Sequence, residues 1–131
     1  MTRRPRLLFV EDHDDTRLMY MAFLGFTYDV SEAADGLAAL KAIEHQLPDL
    51  VITDLSLPRM DGFEFIARLR AVDRTAALPI IALSGHSGPE TEARALAAGT
   101  TLVLKKPCPP DSLLDAIERL LQPRVSGEKT Q

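Results

Sequence analysis

Residues 49–62 read DLVITDLSLPRMDG, an apolar run that ends in an aspartate and passes into a loop containing Pro and Gly. Residues 50–53 form a short, partly β-branched run bounded by Pro48 and Pro58, which predicts a buried strand. Asp54 then lies where that strand leaves the sheet. Because an ionised carboxylate is costly to desolvate unless it is paired, Asp54 indicates a functional site rather than a structural one.

Other apolar runs of the chain also end in polar side chains. The polar residues that follow the runs are Glu11 and Asp12 after residues 7–10, Ser84 after residues 80–83, and Lys105 and Lys106 after residues 102–104. In an open α/β sheet, ligands bind where the carboxyl ends of the strands meet. If these runs are parallel strands, their carboxylates, hydroxyl and ammonium groups belong to one site.

Apolar periodicity predicts strands that alternate with helices along the whole chain. The strands are expected at residues 6–10, 28–33, 50–53, 80–83 and 102–104. The helices are expected at residues 15–24, 37–43, 63–69, 90–98 and 113–121. This alternation predicts an α/β fold, a doubly wound five-stranded parallel sheet with helices on both faces.

The ends and faces of two helices carry more specific predictions. The first helix is expected to bury a face of Leu18, Met19, Ala22 and Phe23. As an alternative to a metal site, Glu11-Asp12 could form a turn or the N-cap of this helix, and Asp14 or Asp15 could serve as that cap instead. The last helix is expected to be capped by Asp111 or Ser112.

Composition limits the classes of function. A chain of 131 residues with net charge −4 fits one acidic domain, which argues against nucleic acid as the main partner. A single cysteine excludes an internal disulfide and fits the reducing cytoplasm, and no apolar run approaches the ~18 residues of a membrane span. We expect a solvated basic lead-in at residues 1–5, one folded domain at 6–122 and a flexible tail at 123–131.

Convergence of Glu11, Asp12 and Asp54 would require a cation. Two carboxylates ~4 Å apart repel by about 4 kcal/mol at an effective dielectric constant of ~20, and one lysine cannot cancel three such repulsions. Oxygen ligands favour Mg²⁺, Mn²⁺ or Ca²⁺. Lys106 and Ser84 add the ammonium and hydroxyl donors that hold a phosphoryl group, which makes Asp54 a candidate acceptor that becomes an aspartyl-phosphate.

These motifs, in this order, resemble the receiver domain of the bacterial two-component response regulators over about residues 6–121. The matching parts are the acidic pair Glu11-Asp12, residues 54–62, Ser84, and Lys106-Pro107, whose peptide bond is commonly cis in that family. The resemblance implies a flavodoxin-like (βα)5 fold with strand order 2-1-3-4-5. It also implies a signalling receiver rather than an enzyme, apart from phosphotransfer to itself and autodephosphorylation.

The resemblance assigns a role to each site residue. Asp54 would accept a phosphoryl group from a sensor histidine kinase or a histidine phosphotransfer protein. Mg²⁺ (or Mn²⁺) would be bound by Asp12, Asp54 and the backbone carbonyl of Ser56, with Glu11 acting through water or directly. Ser84 and Lys106 would each contact a phosphoryl oxygen. The autodephosphorylation rate would depend partly on Ser56 and His86.

Output is expected through a downstream protein target. Only about ten residues follow the last predicted helix, which leaves no room for a DNA-binding domain unless the chain is a receiver fragment of a larger hybrid kinase or regulator. The resemblance implies contacts on the face of the fourth helix, fifth strand and fifth helix. Val103 stands where the family often has an aromatic residue that swings inward on activation, and this departure concerns that switch and not the phosphorylation.

Other classes of function compete with the receiver. A phosphatase of the haloacid dehalogenase type also uses an aspartate nucleophile, but it needs a second aspartate where Ser56 stands. A flavodoxin-like small-molecule binding module needs a Gly-rich phosphate loop in place of Glu11-Asp12. Cys108 is expected to be an inert, partly buried thiol, since a redox sensor would need a lowered pKa. The histidines (His13, His45 and His86) show no metal-ligand spacing.

Overall fold

The computed structural model describes residues 3–85 and 88–122. The strands are β1 (Arg6–Val10), β2 (Asp29–Ala33), β3 (Leu50–Asp54), β4 (Ile80–Ser84) and β5 (Leu102–Lys105). The helices are α1 (Asp14–Leu24), α2 (Gly36–His45), α3 (Gly62–Arg70), α4 (Pro89–Ala98) and α5 (Pro110–Leu121). A 3-10 helix that the sequence did not predict, Asp73–Thr75, follows α3.

The five strands form one sheet in the order β2-β1-β3-β4-β5, and every neighbouring pair is parallel. Successive side chains of a strand point to opposite faces, so each strand contributes to two cores. In β1, Leu8 and Val10 join the core under α2, α3 and α4, whereas Leu7 and Phe9 join the core under α1 and α5. The predicted doubly wound α/β fold and its strand order are confirmed.

The strands beside the site extend one residue beyond their predicted ends. Asp54, Ser84 and Lys105 are the last residues of β3, β4 and β5 rather than the first residues of loops. Asp54 pairs with Leu83 in the β3–β4 register, and Ser84 pairs with Lys105 in the β4–β5 register. The polar groups are therefore fixed by the ladder itself, which holds a side chain more firmly than a loop does.

The predicted buried face of α1 is wrong except at Phe23, which is partly buried against the core, whereas Ala22 is exposed. Leu18 and Met19 are 59% and 46% exposed, whereas Tyr20 and Leu24 are 4% and 0% exposed. The ring of Tyr20 lies 5.1 Å from that of Phe9, and its hydroxyl donates to the backbone carbonyl of Cys108. Because apolar stripes overlap on this helix, periodicity alone does not select the face that the sheet buries.

The predicted caps of α1 and α5 are also wrong. His13 occupies the N-cap of α1 and makes no side-chain capping bond, and Asp14 lies within the first turn. Helix α5 begins at Pro110 with Pro109 at the N-cap, so Asp111 and Ser112 are already helical. Proline is favoured at the first helical position because its fixed φ angle suits the helix and no amide hydrogen is lost.

Within the described part of the lead-in, the exposed residues Arg3 and Arg4 contact the domain. Arg3 pairs with Asp49 at 2.8 Å, although both side chains are partly exposed. The guanidinium of Arg4 donates to the backbone carbonyls of Thr27 and Gly25 at 3.1 and 2.6 Å. The expected tail at residues 123–131 lies outside the described residues. Within the described part of the chain, no helix is both long enough and apolar enough to cross a membrane.

Candidate phosphoryl-transfer site

The carboxyl ends of β1, β3 and β5 bring the carboxylates of Glu11 and Asp54 together with the ammonium of Lys106. Glu11 directly follows β1, and its backbone amide donates to the carbonyl of Ala33 at 3.0 Å, which extends the β1–β2 pairing to this residue. After Asp54 the chain loops out and returns, and the amide of Gly62 donates to the carbonyl of Leu55 at 2.9 Å. A side chain at Gly62 would collide with the carbonyl oxygen of Asp54, so this return requires glycine.

Glu11, Asp12 and Asp54 form an acidic cluster. Each offers a carboxylate oxygen, and these oxygens lie within 4.8 Å of one another. Glu11 and Asp54 are buried at 1% and 6% exposure, whereas Asp12 is exposed. A cluster that is buried on one side and open at Asp12 provides oxygen ligands for a hard divalent cation that keeps some of its water.

Lys106 is the cation that the structure places against this cluster. Its Nζ donates to Glu11 Oε1 at 3.1 Å and to Asp54 Oδ2 at 3.0 Å. Burial lowers the pKa of Lys106, but the hydrogen bonds and charges of Asp54 and Glu11 outweigh it, and the pKa is raised overall. The neighbouring Lys105 is exposed, and the Lys106–Pro107 peptide bond is cis, as the family resemblance implied.

Ser56 contacts Asp54, and Ser84 ends the adjacent strand β4. The backbone amide of Ser56 donates to Asp54 Oδ1 at 3.2 Å, which directs the other carboxylate oxygen towards Lys106. Ser84 is 3% exposed, and its backbone carbonyl accepts from the amide of Lys106 at 2.8 Å. Among the described residues, the structure thus brings Glu11, Asp12, Asp54, Ser56, Ser84 and Lys106 to one edge of the sheet. His86 lies outside the described residues.

Arg17 contacts the site and Arg59 lies in the loop after β3, and the sequence indicated neither contact. Arg17 donates to the carbonyl oxygen of Glu11 at 2.7 Å and to the carboxylate of Glu32 at 2.8 Å. Arg59 has a positive φ of 67° in the loop after β3 and pairs with Asp35, the N-cap of α2. Glu32 lies 15 residues from Arg17 and Asp35 lies 24 residues from Arg59, so no short motif could have indicated these ion pairs.

The remaining candidates lie apart from the chemistry. Cys108 is 6% exposed, and burial raises the pKa of its thiol, which is opposite to what the redox-sensor alternative needs. His45 lines a separate cavity with Arg6, before the amino ends of the strands. Val103 is half-buried in β5, where it pairs with Ala82.

Comparison with known families gives a match over most of the chain. The model of the response regulator receiver domain matches residues 7–118. Among curated proteins, the chain is 37% identical over 117 residues to the sensor protein EvgS of Escherichia coli strain K12. That match covers 88% of this chain and 10% of EvgS, so the chain spans about a tenth of that relative.

Solved structures show the same architecture. The chemotaxis protein CheY4 of Vibrio cholerae superposes with a TM-score of 0.86 at 34% identity, over 90% of this chain and 99% of that chain. The receiver domain of the sensor histidine kinase PA1611 of Pseudomonas aeruginosa, solved with a magnesium ion coordinated in its active site cleft, gives a TM-score of 0.81 at 30% identity. That second superposition covers 88% of this chain and 96% of the PA1611 domain.

Proposed function

The chain belongs to the response regulator receiver domain family of two-component signalling, and on that premise we propose that Asp54 accepts a phosphoryl group. The donor is a sensor histidine kinase or a histidine phosphotransfer protein. The observation that carries the proposal is the charge balance of the site, where the carboxylates of Glu11, Asp12 and Asp54 face the single ammonium of Lys106. Such an excess of negative charge suits a site completed by a cation and a phosphoryl group.

The donor set fits Mg²⁺. Asp12, Asp54 and the backbone carbonyl of Ser56 would hold the ion, with Glu11 acting directly or through water, and Mn²⁺ has the same ligand preference. When bound, the ion supplies positive charge that neutralises the carboxylates and the phosphoryl oxygens. The magnesium ion in the cleft of the PA1611 receiver domain supports this assignment.

The transfer itself needs only positioning and charge neutralisation from the protein. A carboxylate oxygen of Asp54 forms the new bond to phosphorus as the phosphorus–nitrogen bond of the phosphohistidine breaks, and the imidazole nitrogen keeps the electron pair. Lys106 already lies 3.0 Å from Asp54 Oδ2, so its ammonium is in place to donate to a phosphoryl oxygen. Ser84, at the end of the adjacent strand, would donate to another.

We further propose that residues 6–122 form the receiver unit and that it signals through a protein target. The candidate surface is formed by α4, β5 and α5, where β5 is the edge of the sheet and Leu96 of α4 is 48% exposed. This proposal holds whether the receiver acts alone or within a hybrid kinase. A cytoplasmic location, and the absence of nucleic acid and membrane among the partners, stay predictions.

The proposal is tested by incubating the protein with acetyl phosphate and Mg²⁺, and then with Mn²⁺. We expect one phosphoryl group to be added, detected by mass, stable in acid and removed by hydroxylamine. The adduct should be absent from Asp54→Asn and retained in Asp15→Asn, an exposed aspartate on α1. An adduct that persists in Asp54→Asn would contradict the proposal. Repeated turnover of p-nitrophenyl phosphate would instead favour the phosphatase alternative.

A further inference from the structure

A cavity of about 400 Å³ lies beside the proposed phosphoryl site. Ser56, whose amide contacts Asp54, and Ser84, at the end of β4, line it together with Phe63 of α3 and Arg94 of α4. The two serines therefore border both the proposed phosphoryl site and this cavity. A donor whose phosphorus is near Asp54 has room here for the rest of its structure, which is the leaving group of the transfer.

Arg94, an exposed residue of α4, contacts an aromatic ring that also lines this cavity. Its guanidinium carbon lies 3.9 Å from the centre of the Phe63 ring, within the range of a cation–π interaction. Phe63 is itself half-buried and packs against the core formed with α2, α3 and α4. The ring is thereby anchored, and it restricts where the guanidinium can lie.

The other charged residues that line this cavity are acidic. They are Asp61, whose carboxylate caps α3 by accepting from the amide of Glu64 at 2.9 Å, and Glu90 in the first turn of α4. Among the described lining residues, Arg94 is the single cation. Without Arg94, negative charge that develops on a leaving group in this cavity would face these carboxylates and would be destabilised by them.

We infer that Arg94 is a specificity-determining residue that favours acyl phosphates, phosphodonors whose leaving group is a carboxylate. This inference rests on the proposed phosphorylation of Asp54. As the oxygen–phosphorus bond to Asp54 forms, the bond between phosphorus and the acyl oxygen breaks. The electron pair stays on that oxygen and yields a carboxylate, which the Arg94 guanidinium stabilises as its charge develops.

A donor with a neutral leaving group provides the contrast. In phosphoramidate the phosphorus–nitrogen bond breaks, and the nitrogen, already protonated in the zwitterion, leaves as neutral ammonia. No negative charge develops on the leaving atom, so Arg94 has nothing to stabilise there. The two donors deliver the same phosphoryl group to Asp54 and differ in the charge of what departs.

The test compares the two donors on Arg94→Met and on wild type. Methionine keeps a long, unbranched stem that can pack on Phe63 while removing the charge. We expect the rate of Asp54 phosphorylation by acetyl phosphate to fall about fivefold to tenfold, while the rate with phosphoramidate stays within about twofold. Arg94→Lys should keep at least about half of the acetyl phosphate rate, because it keeps the charge. Arg68→Met, an exposed arginine on α3 paired with Glu64, is the matched control and should leave both rates unchanged.

Each outcome decides the inference. The inference is supported if Arg94→Met loses rate with acetyl phosphate alone and Arg94→Lys keeps that rate. An equal loss with both donors would indicate that Arg94 only maintains the local structure, and no loss with either would remove its role; both results overturn the inference while leaving the proposed function intact. If neither donor labels the wild type, the proposed function and the inference fall together.

Discussion

The two ends of the β-sheet differ in charge balance: oppositely charged side chains pair at the amino end, whereas carboxylates are in excess at the carboxyl end. At the amino end, Arg3 pairs with Asp49, and the guanidinium of Arg70 donates to the backbone carbonyls of Gly99, Thr75 and Ala76. A further Arg70 contact reaches the Thr101 hydroxyl at 3.4 Å. These charged side chains connect the loops that precede the strands, so they stabilise the fold.

At the carboxyl end the charges are not balanced. Glu11, Asp12 and Asp54 gather within 4.8 Å of one another, and Lys106 is their shared cationic partner among the described residues. Like charges held this close destabilise the protein without a cation. The charges at the amino end therefore stabilise the fold, whereas the excess of negative charge at the carboxyl end lowers stability and suits the cation binding proposed above.

The largest effect on stability should come from removing the shared cation. Lys106→Met leaves Glu11 and Asp54, both buried, with no ammonium partner, and breaking such a pair costs about 3 kcal/mol. Urea unfolding measures the loss, and saturating Mg²⁺ should recover more stability in this variant than in wild type. Lys105→Met, at the exposed neighbouring position, is the control. If the two variants are equally stable, the carboxylates do not depend on Lys106.

The corresponding change at the amino end is Arg70→Met. It removes the hydrogen bonds to the carbonyls of Gly99, Thr75 and Ala76, and we expect a loss of about 2 kcal/mol because water replaces only part of them. Phosphorylation of Asp54 should stay within about twofold of wild type. Arg68→Met, which breaks only an exposed pair, should cost less than about 0.5 kcal/mol. A large fall in phosphorylation would show that the two ends are coupled.

Removing a negative charge from the acidic cluster should stabilise the protein, whereas the two changes above destabilise it. Asp12→Asn relieves repulsion from Glu11 and Asp54 at an exposed position, and we expect the free energy of unfolding to rise by about 1 kcal/mol without metal. The stabilisation that Mg²⁺ provides should shrink, because a ligand has been lost. Asp115→Asn on α5, exposed and outside the cluster, should change neither value. A destabilised Asp12→Asn would contradict the charge excess.

The smallest effect concerns pH at the amino end. The hydrogen bond from Arg3 holds the pKa of Asp49 below its ordinary value of 3.8, against the effect of burial. A lowered folded-state pKa adds stability above the ordinary value, and this contribution is lost as pH falls through the folded-state pKa. Asp49→Asn should therefore be less stable than wild type by roughly 0.5 kcal/mol at neutral pH, since the pair is partly exposed.

That difference should vanish in acid, where Asp49 of the wild type is protonated as well. Unfolding by urea at a series of pH values gives the comparison, and Asp115→Asn again provides the baseline. A difference that stays constant with pH would mean that the Arg3–Asp49 charge pair contributes nothing and that only the local hydrogen bonds matter.

Much of this fold and site could be predicted without coordinates because the signals are local. The apolar runs at residues 7–10, 50–53 and 80–83 predicted parallel strands, and the polar residues that follow them predicted a site at one edge of the sheet. The face of α1 could not be predicted in the same way. Tyr20 is selected over Leu18 by its contacts with Phe9 and with the carbonyl of Cys108, which are distant in sequence.

The sequence by itself determined the fold class, the family and the residue types of the site, because strand periodicity and the order of the motifs are properties of neighbouring residues. Only the tertiary structure decided which charged groups pair with one another and that Arg94 lines the cavity beside the site. The link from Lys106 to Glu11, and the stacking of Arg94 on Phe63, depend on packing between separate elements. A charge acts through distance in space, and only the folded chain defines that distance.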